Sequence, residues 1–97
     1  MTYTHSMDFF VTVDPKIRQK EKEKARKLRA SNWWRQQLQA GLCYYCQDRF
    51  SADELTMDHK VPMARGGKSS KDNIVTACKA CNSAKQHKTA VEFLNEK

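Results

Sequence analysis

The sequence predicts a small α+β domain preceded by a long basic helix. Three observations carry that class: a cation-rich stretch of good helix formers, two short β-branched segments, and two Cys-x-x-Cys pairs that bracket those segments. Ninety-seven residues suit one domain, with no room for a second core. We divide the chain into an N-terminal segment (1–14), a basic helix (15–40) and the domain itself (41–97).

The helix comes first in the chain. The stretch "KIRQKEKEKARKLRASNWWRQQLQAG" has no internal Pro or Gly before its end. Asp14 suits its N-cap, Pro15 its first turn and Gly41 its termination. Between Lys16 and Arg35 stand nine cations against two anions, Glu21 and Glu23, so this stretch holds the whole net charge of +7. Apolar residues are sparse until Leu28, after which Trp34, Leu38 and Leu42 recur every four positions. The expectation is a helix whose C-terminal half docks while its N-terminal half projects into solvent. A local surplus of this size points to a polyanion partner, with Lys22, Arg26 and Arg29 as contacts. A membrane-surface helix needs an apolar stripe, and residues 16–27 offer only Ile17 and Ala25.

No apolar run approaches the ~20 residues of a membrane helix, and the N-terminus lacks the pattern of a signal peptide. The expectation is a soluble cytoplasmic protein. In that reducing compartment four cysteines in two pairs are metal ligands rather than disulfides. Cys43, Cys46, Cys78 and Cys81 are therefore expected to hold a structural Zn²⁺ through four thiolates. A thiol redox protein needs one pair and usually a βαβ order, which is not found here. The 31 residues between the pairs leave space for a strand, a loop and a second strand.

Within the domain, "GLCYYCQDRF" reads as a knuckle presenting two thiolates, covered by Tyr44, Tyr45 and Phe50. "SADE" has the form of a capping box and opens a turn at Ser51. "LTMDHKVP" alternates as a short strand stopped by Pro62. "ARGGKSSKDN" is a polar glycine-serine loop, and "IVT" is a second strand. "CKACNSAKQHK" starts a helix inside the second thiolate pair. "TAVEFLNEK" opens with another capping box and makes a final helix whose Val91 and Leu94 are expected to pack on the domain.

Read together, "CYYC", "MDHKVP", "RGGKSSKDNIV" and "CKACNSAK" resemble, in order, the pattern of the HNH endonucleases over about residues 33–88. The resemblance implies a zinc-stabilised ββα-metal, treble-clef-like fold and a metal-dependent DNA endonuclease. It is closest to the variant with Asp-His, Asn and Asn, since Asn82 replaces the last His of the family name. Some members carry a metal-binding His one turn beyond that position. Here that place is Gln86, and His87 lies off the same helical face. The chemistry implied leaves 5′-phosphate and 3′-hydroxyl ends.

The residues support a physical reading beside the resemblance. Neighbours on a strand point to opposite faces, so Asp58 and His59 serve a site from different directions. Asp58 on a strand and Asn82 on a helix offer hard oxygen donors for Mg²⁺ or Mn²⁺. His59, with an ordinary pKa near ~6.5, can accept a proton from water. Asn73 suits pinning the loop by bonding backbone near His59. Lys85 is expected to touch phosphate, with Arg65 and Lys68 doing so more loosely. The four catalytic candidates are thus His59, Asp58, Asn73 and Asn82.

Each feature alone has a plainer meaning. Asn73 and Asn82 can be turn and cap residues, and Gly66-Gly67 by itself says turn. The alternative function is a non-catalytic zinc-stabilised nucleic-acid-binding module on the same scaffold. Monomer and dimer stay open at this point.

Overall fold

The computed structural model describes residues 13–96. Most of the expected N-terminal segment, residues 1–12, lies outside them. The first helix, α1, runs Pro15–Arg29, opened by Asp14, whose carboxylate accepts the Lys16 N–H at 2.8 Å. The expected single helix over 15–40 is two helices. Ser31 ends α1 by donating its hydroxyl to the Leu28 carbonyl (2.6 Å), and it caps α2, Asn32–Ala40, by accepting the Trp34 N–H (3.2 Å). A serine that satisfies both helix ends competes with a continuous backbone ladder, which is why helix propensity alone misses the break.

Gly41 closes α2 at φ 69°, a left-handed conformation that favours glycine. A β-carbon there would also stand 2.9 Å from the Phe50 carbonyl oxygen. The knuckle follows, then the Ser51–Glu54 capping box on a single 3₁₀ turn. Strands β1, Leu55–His59, and β2, Ile74–Cys78, form a two-stranded antiparallel sheet with Asp58 opposite Val75 and His59 opposite Ile74. Helix α3, Lys79–Lys85, begins directly at the end of β2, with the Cys78 sulfur accepting the Cys81 N–H. Helix α4, Ala90–Asn95, starts at the Thr89–Glu92 capping box.

The core gathers Cys43, Tyr45, Leu55, Ala77, Cys78, Ala90 and Phe93, with Leu38, Phe50 and Val75 packed against it. Tyr45 meets Phe93 edge-on at 5.3 Å. Helix α4 therefore turns Ala90 and Phe93 inward, and the expected pair faces out: Val91 is 68% exposed and Leu94 38%. The Ala90 N–H bonds the Lys60 carbonyl at 2.8 Å, tying the helix start to the end of β1 and so deciding which face docks.

The N-terminal half of α1 does not project into solvent. Glu21 (4% exposed) and Ala25 (2%) are buried one turn apart, and α1 packs on the 3₁₀ turn Met63–Arg65. Most of its exposed residues are cationic, so the charge expectation and the packing occupy different faces of one helix. Among the described residues, no helix is long and apolar enough to cross a membrane.

Candidate active site and metal centre

Two distinct centres are built around the short ββα unit. In the first, the sulfurs of Cys43, Cys46, Cys78 and Cys81 all lie within 4.8 Å of one another. A tetrahedral zinc with bonds of about 2.3 Å spaces its sulfurs about 3.8 Å apart, so the four thiols need to close by at most about 1 Å to hold the ion. Backbone geometry prepares the ligands: the Cys78 N–H points at the Cys43 sulfur at 3.4 Å. Burial opposes ionisation of Cys43, but N–H groups of Cys46, Cys78 and Tyr45 outweigh it and bring the thiol down to about 7. The cluster is compatible with a structural zinc that joins the knuckle to the start of α3.

The second centre is an open hollow of about 210 Å³ on the α1 side of the sheet. Asp58 and His59 both line it, from consecutive positions of β1. Asp58 is buried, and its carboxylate accepts a hydrogen bond from the Tyr45 hydroxyl and faces the Lys85 ammonium at 3.3 Å. His59 is half-buried, with Nε2 2.9 Å from the Ser69 hydroxyl. Desolvation holds the His59 pKa below its ordinary value despite the nearby Asp58 carboxylate, which favours the neutral imidazole.

Asn73 is a loop clamp. Its side-chain oxygen accepts the Val61 N–H at 2.9 Å, while its amide donates to the carbonyls of Val61 (3.1 Å) and Lys68 (2.8 Å). Those bonds close the glycine loop back on the chain just after His59. Gly67 is required there, since a β-carbon would stand 1.7 Å from the Val61 carbonyl oxygen. Asn82 lies on α3 one turn before Lys85, and its amide nitrogen donates to the Thr56 hydroxyl at 2.8 Å. Thr56 and Asp58 share a face of β1, which sets Asn82 beside the hollow rather than in its lining.

Two expected phosphate contacts are already engaged. Lys85 is 1% exposed and donates to the His59 carbonyl (3.0 Å) as well as facing Asp58. It is a buried strut under the site, not an outward cation. Arg65 pairs with Glu92 of α4. Lys68, Lys22, Arg26 and Arg29 are exposed.

The structure also brings in residues that the sequence reading did not assign to the site. Arg18 of α1 lines the hollow, and so does His87. His87 arrives because α3 stops at Lys85: Gln86 has φ 53° and ψ −126°, so the helical-face argument no longer applies beyond it. On α1, Arg18, Lys22 and Arg29 fall within about 40° of each other around the axis. Arg29 reaches the sulfur of Met57, itself part of the hollow's lining, at 3.7 Å. This cationic row thus borders the hollow. The local charge run marks Lys22 and Arg29 as cations for a polyanion, but their place beside the hollow depends on how a distant helix docks.

A family model described as HNH endonuclease matches residues 43–97. The chain belongs to the HNH endonuclease family. Comparison with curated proteins gives no match. For this HNH domain, membership implies a nuclease-type function acting on nucleic acid. The match includes both thiolate pairs, the sheet, the glycine loop, α3 and α4, and leaves α1 and α2 outside it. Arg18 and the rest of the cationic row therefore come to the site from beyond the family-matched part.

Proposed function

We propose that this HNH protein is a metal-dependent endonuclease that hydrolyses DNA phosphodiester bonds in the cytoplasm. The observation that carries the reading is the convergence of Asp58 and His59 on one open hollow bordered by the cations of α1. His59 acts as the general base. It takes a proton from water, the resulting hydroxide attacks phosphorus, and the bond to the 3′-oxygen breaks as that oxygen leaves and collects a proton. A depressed imidazole pKa keeps this base ready at neutral pH.

Asp58 and Asn82 would hold the catalytic Mg²⁺ or Mn²⁺ through one carboxylate and one amide oxygen, a donor set suited to a hard cation. When bound, such an ion polarises the scissile phosphate and stabilises the leaving oxygen. Asp58 shares its carboxylate with Lys85, so a bound cation would compete with that ammonium for its oxygens. Asn73 contributes by holding the loop after His59 in place. Arg18, Lys22, Arg26, Arg29 and Lys68 are the accessible cations for phosphate. The four cysteines supply the zinc-held frame.

The pairing of Asp58 with Lys85 is also what favours the second reading, a zinc-stabilised module that binds nucleic acid without cutting it. Incubating supercoiled plasmid with protein and Mg²⁺ or Mn²⁺ separates the two, with EDTA and His59→Ala as controls. Nicking that needs the metal and His59 supports the enzyme. No nicking with any divalent metal, or equal nicking by His59→Ala, selects the binding module.

A further inference from the structure

Ser69 sits at a junction between α1 and the hollow. It is 7% exposed, and its hydroxyl lies 2.6 Å from the Glu21 carbonyl oxygen and 2.9 Å from His59 Nε2. Its backbone N–H is received by the Glu21 carboxylate at 2.6 Å. The other carboxylate oxygen pairs with Lys24 at 3.2 Å. Glu21, the one buried anion of a cationic helix, thus grips Ser69 through both its side chain and its main chain.

One proton decides the rest. A serine hydroxyl has a single hydrogen, and a carbonyl oxygen can only accept. The Ser69 hydrogen therefore goes to Glu21, and the serine oxygen is left to accept from His59. We propose that Glu21 and Ser69 are positioning residues that hold His59 with its proton on Nε2 and its lone pair on Nδ1. Helix α1, outside the family-matched part, is then a component of the site's preorganisation rather than only a cationic appendage. The assignment of Nδ1 as the reacting base rests on the nuclease reading; the tautomer does not.

The test uses full-length, zinc-loaded, ¹⁵N-labelled protein without nucleic acid at mildly alkaline pH, where the imidazole is neutral. Two-bond ¹H–¹⁵N spectra report which ring nitrogen carries the proton. Expected is a slowly exchanging Nε2–H resonance for His59 in the wild type, kept in Ser69→Thr and Glu21→Gln. It is lost to fast exchange in Ser69→Ala and in Glu21→Ala, although no Glu21 side-chain atom bonds the imidazole. A wild-type proton on Nδ1 overturns the proposal without any variant. So does an unchanged Nε2–H resonance in a folded Ser69→Ala protein. Because nothing is cleaved in this experiment, a negative plasmid assay leaves its outcome standing.

Discussion

The Lys85 ammonium stands 3.3 Å from the Asp58 carboxylate, with the lysine side chain 1% exposed and the aspartate 10%. Few arrangements in a small protein are as sensitive to the loss of one partner. Desolvating both charges is costly, and the pair is stable only while each satisfies the other and its remaining hydrogen bonds. Here Tyr45 completes the carboxylate and the His59 carbonyl receives a further ammonium proton. Lys85→Met should therefore lower unfolding free energy by roughly 3–5 kcal/mol in denaturant melts, since it strands a buried carboxylate. Added Mg²⁺ or Mn²⁺ should recover part of that loss, because a cation at Asp58 replaces the missing charge. A Lys85→Met protein as stable as the wild type would deny the pair its structural role.

That strut also shows what the sequence could and could not reveal. Short-range rules located the thiolate pairs, both capping boxes, the two strands and the helix that begins at Cys78, because each is encoded within a few residues. The expectation that Asn73 pins the loop by bonding backbone near His59 agrees with its bonds to Val61 and Lys68. Burial of Lys85 did not follow, since a lysine on a short helix reads as exposed until the strand carrying Asp58 packs against it. The seating of Glu21 on Ser69 joins residues 48 apart, and no local pattern encodes such a contact. The break at Ser31 was legible in principle: a serine three residues before Trp34 in a helical run is a capping signal that propensity outvoted.

Zinc removal should abolish cooperative folding of the domain. The sulfur cluster ties the knuckle to the junction of β2 and α3, where the core itself contains Cys43 and Cys78. With so small an apolar core, metal binding supplies a large share of the folding free energy. Metal analysis should give one zinc per chain, and a strong chelator should eliminate the thermal transition. Persistence of the transition in metal-free protein would show that the core suffices without the ion.

Glu21 links α1 docking to pH. Its carboxyl is held below the usual carboxylate range, chiefly by the Ser69 N–H and then, against the cost of burial, by Lys24. A depressed folded-state pKa means stability that is present above the unfolded value of 4.5 and is lost as pH falls through the lower folded value. Melting temperature should accordingly decline as acid is added below that point. Glu21→Gln should be less stable at neutral pH and show a shallower acid limb. Identical acid limbs in the two proteins would remove Glu21 from the account.

Gln86 occupies a backbone conformation suited to glycine. With φ 53° and ψ −126°, and with the Lys88 N–H bonding the Lys85 carbonyl at 3.1 Å, it takes the first central position of a turn of the II′ kind. The side chain at that position strains against its own backbone. Gln86→Gly should raise stability by about 1 kcal/mol, the usual scale of left-handed strain in a non-glycine residue. A loss of stability on the same change would mean that Gln86 makes contacts outweighing its strain.

The cationic row of α1 should be visible in the salt dependence of DNA binding. Lys22 and Arg29 are exposed and share one face of α1 with Arg18, and Arg29 already reaches the rim of the hollow at Met57. Each cation that neutralises a phosphate adds nearly one unit to the slope of log affinity against log salt. Lys22→Gln and Arg29→Gln should each reduce that slope by about one unit and weaken binding to unrelated duplexes alike. His59→Ala, by contrast, should leave the slope unchanged while removing cleavage. Deleting residues 1–30 is a poorer probe, because it also removes the Glu21 contact with Ser69 and so confounds charge with loop order. If the point variants leave the slope as it was, Lys22 and Arg29 face water, and the phosphate contacts must be sought at Lys68, Arg26 and Arg18.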